Sequence, residues 1–242
     1  MSRRPNVLFM VADQHNAKVL GHRGHPDVRT PNLDRMADEG ISFDNAITQN
    51  PICTPSRVSF LSGQYCHNHG YYGLNGPNPG GLPNLFGHFR RAGYTTAAMG
   101  KIHCPEYWVE DQCDVFHETC TCSIGGRSEA YTSFLKSRGK AELEDHGSLP
   151  EFGTRGRQSM EGRPSPLSFE EAQEGWMANQ AIEVMRGAAS QGRSFFVHVS
   201  FPRPHQCTSP SQQFWDLYDE SALTLPPNAD YEMADKAPHF MA

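Results

Sequence analysis

Phe195-Phe196-Val197-His198-Val199-Ser200-Phe201 runs straight into Pro202-Arg203-Pro204-His205. The run is close to continuously apolar and ends at a proline-bounded turn. A strand buried on both faces, as in a parallel sheet, reads this way. Two more runs repeat the pattern. Val7–Ala12 ends in Asp13-Gln14-His15-Asn16, and residues 95–99 end in Gly100-Lys101-Ile102-His103. Helical patterns lie between them. Thr30 is expected to cap a helix with Pro31 in its first position, running through Leu33, Met36 and Ala37 to Gly40. A second helix fits residues 83–91, closing at Gly93 with Arg90 and Arg91 in its last turn. A third fits residues 169 to about 187, with Trp176, Ala181, Val184 and Met185 as core positions. Alternating strands and helices predict a doubly wound α/β domain with a mostly parallel sheet.

Two stretches interrupt that rhythm. Residues 63–82 are rich in Gly, Asn, Pro and His and read as a surface loop. Residues 138–167 are rich in Gly, Arg, Ser, Glu and Pro and read as an insertion. The 242 residues are enough for one domain and do not require two, so 1–242 is taken as part of a single domain. Charged residues make up 20% and apolar residues 37%, which excludes a disordered chain. The net charge of −6 leaves no basic footprint for nucleic acid. The apolar run at Val7–Ala12 is too short for a signal-peptide core or a membrane span, so a cytoplasmic protein without membrane contact is expected. Seven cysteines, an odd number, argue against a disulfide framework and for free thiols.

Open parallel sheets bind ligands beyond the carboxyl ends of their strands. Three strand ends here deliver Asp13 and Gln14, Lys101 and His103, and Arg203 and His205 to one edge. A fourth piece is Cys53-Thr54-Pro55-Ser56-Arg57. Ser56 or Thr54 could cap a short helix whose first amides and dipole favour an anion, and Arg57 adds a planar cation. A cysteine placed there would be reactive or poised for modification. A cysteine-phosphatase loop is excluded, because it needs five residues between Cys and Arg and only three intervene. Cys104, Cys113, Cys120 and Cys122, with His103 and His117, invite a zinc reading, but Cys120-Thr121-Cys122 is too tight for the usual pairing. Cys66-His67-Asn68-His69 could rim the site or be solvated loop. Tyr71, Tyr72 and Trp108 could line a pocket or belong to the core.

Cys53-Thr54-Pro55-Ser56-Arg57 resembles the Cys-x-Pro-x-Arg signature of sulfatases and the related phosphonate monoester hydrolases of the alkaline-phosphatase superfamily. The Asn6–Gln14 segment, the Thr30–Gly40 segment, Gly100-Lys101-Ile102-His103, the Phe195–His205 segment and Leu223-Thr224-Leu225-Pro226-Pro227-Asn228 are similar to that family in the same order. The resemblance implies an alkaline-phosphatase-like sheet with helices on both faces, and formylglycine made from Cys53 as nucleophile. It also implies a formylglycine-generating maturation enzyme as partner and a sulfate or phosphonate ester as substrate. Asp13, Gln14 and the modified Cys53 would be ligands to a divalent cation, Ca²⁺ before Mn²⁺ or Mg²⁺. Arg57 would hold the nucleophile. Lys101, His103 and His205 would bind the sulfate oxygens or serve the leaving group, with Asn75 as a further substrate contact.

The family also uses a second pair of metal ligands from its C-terminal half, which would lie beyond Ala242. The fold is therefore expected to be incomplete at its C-terminus, with an unpaired sheet edge that favours association, a homo-oligomer included. Two other readings stand beside the hydrolase: a non-catalytic fragment, and a phosphate-transferring relative with an unmodified nucleophile. Cysteine at position 53 speaks against the latter.

Overall fold

The structure is a computed structural model that describes residues 4–77, 80–105, 107–119, 129–143, 162, 164–205, 208–227 and 229. Cys120, Cys122, Cys207, Asn228 and most of the expected 138–167 insertion lie outside the described residues. The chain divides into two compact units, residues 1–15 with 43–215, and residues 16–42 with 216–242.

The first unit holds a parallel sheet of β1 (Val7–Ala12), β2 (Thr95–Gly100), β3 (Val115–Glu118) and β4 (Phe195–Phe201), in the order β1-β4-β2-β3. Successive side chains of a strand point to opposite faces, so each strand feeds two cores. Ala97, Met99, Val197 and Val199 meet Trp176, Met177 and Ala181 on one face. Those last three belong to the long helix Gln173–Ser190, and Tyr131 and Leu135 of helix Glu129–Lys136 join the same cluster. Ala98 and Phe196 meet Leu61 and Phe86 on the other face. Leu61 comes from helix Cys53–Ser62 and Phe86 from helix Leu85–Arg91. The expected α/β architecture with helices on both faces is present.

Several boundaries differ from the sequence reading. The helix expected from residue 83 begins at Leu85, because Asn84 caps it by accepting the Gly87 N–H at 2.9 Å. The helix expected from residue 169 begins at Gln173 and runs to Ser190. Strand β1 is not buried on both faces. Leu8 and Met10 are each 42% exposed, while Phe9 packs inward. It pairs only with β4, so it is an edge strand of the described sheet. Strand β3 is not foreseen by the pattern: it has four residues and follows an aspartate, which masks it against the longer runs. The loop at 63–82 contains one short helix, Cys66–His69.

In the second unit, helix Pro31–Glu39 forms with proline in its first turn as expected. Thr30 does not cap it through its side chain. Its hydroxyl instead donates to Asp34 Oδ1 at 2.7 Å and accepts the Gly21 N–H at 2.8 Å. In the same unit Asp27 accepts from Thr224 N–H at 3.0 Å, which ties the two segments of the unit together. Among the described residues, no helix is long and apolar enough to cross a membrane.

Candidate active site

The helix Cys53–Ser62 begins at the cysteine itself, with Ile52 as an extended residue in the cap position and no side-chain cap. Thr54 and Ser56 therefore lie inside the first turn rather than before it. Pro55 is tolerated there because an N–H in the first turn has no helical acceptor. The first helical bond runs from Ser56 N–H to Ile52 O at 3.0 Å. Residues four apart share a helix face, so the three-residue gap sets Cys53 one turn before Arg57. Cys53, Ser56 and Arg57 line a cavity of about 300 Å³ together with Asp13, Gln14 and His205.

Two buried cations meet at the floor of this site. Arg57 Nη2 lies 2.9 Å from Asp13 Oδ2, and Lys101 Nζ lies 2.8 Å from the same oxygen. Lys101 is 1% exposed, Arg57 3% and Asp13 9%. Arg57 Nη1 also donates to Ser200 Oγ at 2.8 Å and to the Lys101 carbonyl. Burial alone would push the Asp13 carboxyl up, but the Lys101 ammonium and the Arg57 guanidinium outweigh it. They hold the carboxyl below the usual carboxylate range. Two buried cations share one carboxylate, so the floor of the site carries a net positive charge, which favours an anion.

Each strand end is placed by the backbone of its neighbours. Asp13 N–H donates to Phe201 O at 3.0 Å, and His205 N–H donates to Asp13 O at 3.2 Å. Gln14 takes the left-handed conformation, with φ 61°. Arg203, joined to Pro204 by a cis peptide, forms an ion pair with Glu174 in the first turn of helix Gln173–Ser190. Lys101 N–H donates to Ser200 O at 2.8 Å, carrying the parallel ladder one residue past β2. His103 has φ 48°, and its N–H donates to Glu118 Oε1 at 2.9 Å.

The helix that carries Cys53 is anchored from behind. Tyr71 N–H donates to Nδ1 of His69 at 3.1 Å, so the imidazole proton sits on Nε2 and is given to Ser59 Oγ at 2.9 Å. His69 is buried, and burial followed by the charge of His67 lowers its pKa. Beneath the same helix, His198 donates from Nδ1 to Phe9 O at 3.1 Å. It is surrounded by Phe9, Phe60 and Phe86 at ring distances of 5.0, 6.3 and 6.0 Å. Burial lowers its pKa to about 4.

Of the residues picked from sequence, Asp13, Gln14, Cys53, Arg57 and His205 share the cavity, and Lys101 joins them through Asp13. Asn75 is exposed and does not line that cavity, and His103 is half-buried outside it. His69 is neither rim nor solvated loop but part of the support of the cysteine helix. Tyr71 is buried, Tyr72 is exposed, and Trp108 lines a different cavity, of about 420 Å³, with Arg91 and Gln112. Sequence reasoning misses Ser200, Glu118 and Glu174. The strand-end rule would find Glu118 once β3 is recognised.

Asp13 and Gln14 are hard oxygen donors beside position 53, which fits part of the oxygen shell of a Ca²⁺-like or Mg²⁺-like cation. Among the described residues, no group of three or more His, Cys, Asp and Glu side chains is arranged to hold a metal. Cys53, Cys66, Cys104 and Cys113 are free thiols. Burial above all pushes the Cys104 thiol up to about 12 and raises that of Cys113, which does not favour thiolate ligation of zinc.

The fold and the site define the alkaline-phosphatase-like sulfatases and phosphonate monoester hydrolases as the class. The chain matches the sulfatase family across residues 5–239 and belongs to it. It is 29% identical to an arylsulfatase of Clostridium perfringens over 94% of this chain and 49% of that protein. It is 27% identical to a choline-sulfatase of Rhizobium meliloti over 98% of this chain and 45% of that protein. The crystal structure of a phosphonate monoester hydrolase of Agrobacterium radiobacter superposes with a TM-score of 0.69 at 27% identity, over 92% of this chain and 45% of that one. The chain spans about half the length of the curated relatives it matches.

Proposed function

We propose that this chain belongs to a hydrolase of sulfuric esters whose nucleophile is made from Cys53. The observation that carries the reading is the position of Cys53. It opens a helix one turn before the buried Arg57, in a cavity shared with Asp13, Gln14 and His205. Formylglycine at position 53, when hydrated, supplies two hydroxyls on one carbon, one to attack and one to expel the inorganic product. A divalent cation, Ca²⁺ before Mn²⁺ or Mg²⁺, would be held by Asp13, Gln14 and an oxygen at position 53, and supplies positive charge beside the nucleophile.

The side chains of this chain do the rest. Arg57, fixed by Asp13 and Ser200, presents an oriented cation to the oxygen at position 53. Lys101 adds a second positive charge, so an ester anion is drawn in and charge building on its outer oxygens is stabilised. His205, placed by its bond to the Asp13 carbonyl, and His103 bind the ester oxygens or give a proton to the departing alcohol. Asn75 would contact substrate from the 63–82 loop. A formylglycine-generating enzyme is the partner this route requires.

A second reading, hydrolysis of phosphonate monoesters, is favoured by the fold likeness to the Agrobacterium radiobacter enzyme. The test is the mass of the tryptic peptide 36–57 from the protein purified from its own source. An aldehyde or its hydrate at position 53 supports the proposal. An unmodified thiol throughout overturns it. Assay of the same preparation on aryl sulfates and on phosphonate monoesters then separates the two substrates.

A further inference from the structure

Apart from Asn75 of the 63–82 loop, the residues assigned so far follow β1, β2 and β4 or lie on the cysteine helix. Strand β3 contributes one ionisable group to the same edge, Glu118, which stands opposite Gly100 in the β2–β3 register. Its Oε1 accepts the N–H of His103 at 2.9 Å. His103 has φ 48°. In that region the β-carbon of an L-residue is crowded, and such a conformation persists only where its surroundings hold it.

The surroundings hold the whole turn. Gly100 has φ 97°, and a β-carbon there would lie 2.0 Å from Ser200 O, so the exit from β2 is set by close backbone contact. Thr119 N–H donates to Gly100 O at 3.0 Å, and Lys101 N–H donates to Ser200 O at 2.8 Å. The Lys101 carbonyl accepts from Arg57. Glu118 then fixes the far end through His103. The segment that carries Lys101 and His103 is thus gripped by a cation from one side and a carboxylate from the other. A carboxylate acceptor makes a hydrogen bond roughly twice as strong as a neutral one.

We infer that Glu118 is a positioning residue, which holds His103 in a left-handed backbone conformation and so sets where its imidazole lies relative to the ester. The consequence for catalysis rests on the sulfatase reading; the backbone restraint does not. Glu118→Gln keeps an acceptor oxygen at the same reach, and Glu118→Ala removes it. Glycine accepts positive φ without crowding, so His103→Gly removes the strain while keeping the N–H that donates to Glu118.

The decisive experiment is a double-mutant cycle on the unfolding equilibrium of the matured protein, followed by kinetics on an aryl sulfate. Glu118→Ala is expected to lower the folding constant about tenfold less in the wild-type background than in the His103→Gly background, because both lose the bond to the residue 103 N–H but only histidine relaxes out of a crowded conformation, a coupling of the size seen between contacting residues. It is expected to lower kcat roughly 10- to 100-fold with little change in KM, as a misplaced group does, while Glu118→Gln retains most of kcat. If Glu118→Ala does not fold, Glu118→Gln against Glu118→Asp replaces it, since Asp withdraws the acceptor by one methylene. Additive effects in the cycle overturn the inference. So does coupling in the cycle with an unchanged kcat in an active protein. A matured wild-type protein that hydrolyses no ester sinks the sulfatase reading instead, and the cycle still decides whether Glu118 restrains His103.

Discussion

Arg57 Nη2 donates to Asp13 Oδ2 at 2.9 Å across 44 residues of sequence, and both partners are buried. The bond joins the helix that begins at Cys53 to the end of the first strand. Lys101 loads the same oxygen from the second strand, so one carboxylate neutralises part of two buried charges.

Asp13→Asn removes that negative charge and leaves both cations buried without it. Breaking one side of a buried pair typically costs about 3–5 kcal/mol. The expected outcome is a loss of that order in urea-induced unfolding. A variant as stable as the wild type would show that the ion pairs do not hold the site.

Gly100→Ala tests the exit from β2. At φ 97°, with Ser200 O 2.0 Å from the position of a β-carbon, alanine must displace backbone of β4. A loss of roughly 3 kcal/mol or more is expected from such a mechanism, read from the thermal midpoint.

Ser59→Ala leaves the Nε2–H of His69 buried without its acceptor. The expected loss is about 1–3 kcal/mol, the desolvation penalty of a buried donor. The double variant with His69→Phe should lose less than the two single losses combined, since neither polar partner then remains.

Acid should destabilise the protein through His198. Its pKa is lowered from 6.5 to about 4 by burial, so the folded state prefers the neutral ring. At pH above 6.5 neither state is charged and no penalty arises. Between pH 6.5 and 4 the unfolded chain binds the proton and the folded one does not, so stability falls as pH falls. Below about pH 4 the loss levels off at ~3 kcal/mol, taking about 1.36 kcal/mol per unit. His198→Phe is expected to flatten this part of the pH–stability curve. An unchanged curve would place the acid sensitivity elsewhere.

Much of the architecture was legible in the chain. Phe195–Phe201 shows as an apolar run because a strand deep in a parallel sheet has few polar positions. Val7–Ala12 shows the same run although it lies at the edge of the described sheet, and their pairing places Asp13 and His205 at one end. The Cys-x-Pro-x-Arg motif was legible as a resemblance, but its place on the helix was not: a cap at Thr54 or Ser56 was expected, and the helix begins at Cys53, one turn before Arg57. Sequence pattern failed at β3, where four residues are too few for a period to stand out. It failed also at His69, whose burial depends on Ser59 and the Tyr71 amide rather than on its neighbours in the chain.

Apolar runs were enough for the fold class, and resemblance of short motifs for the family, because each lies within one segment of the chain. Folding was needed to bring Arg57 and Lys101 onto one oxygen of Asp13, to leave Leu8 and Met10 exposed on an edge strand, and to set Glu118 against His103. These relationships join segments far apart in sequence. Their geometry is set by strand order and register, which no single segment encodes.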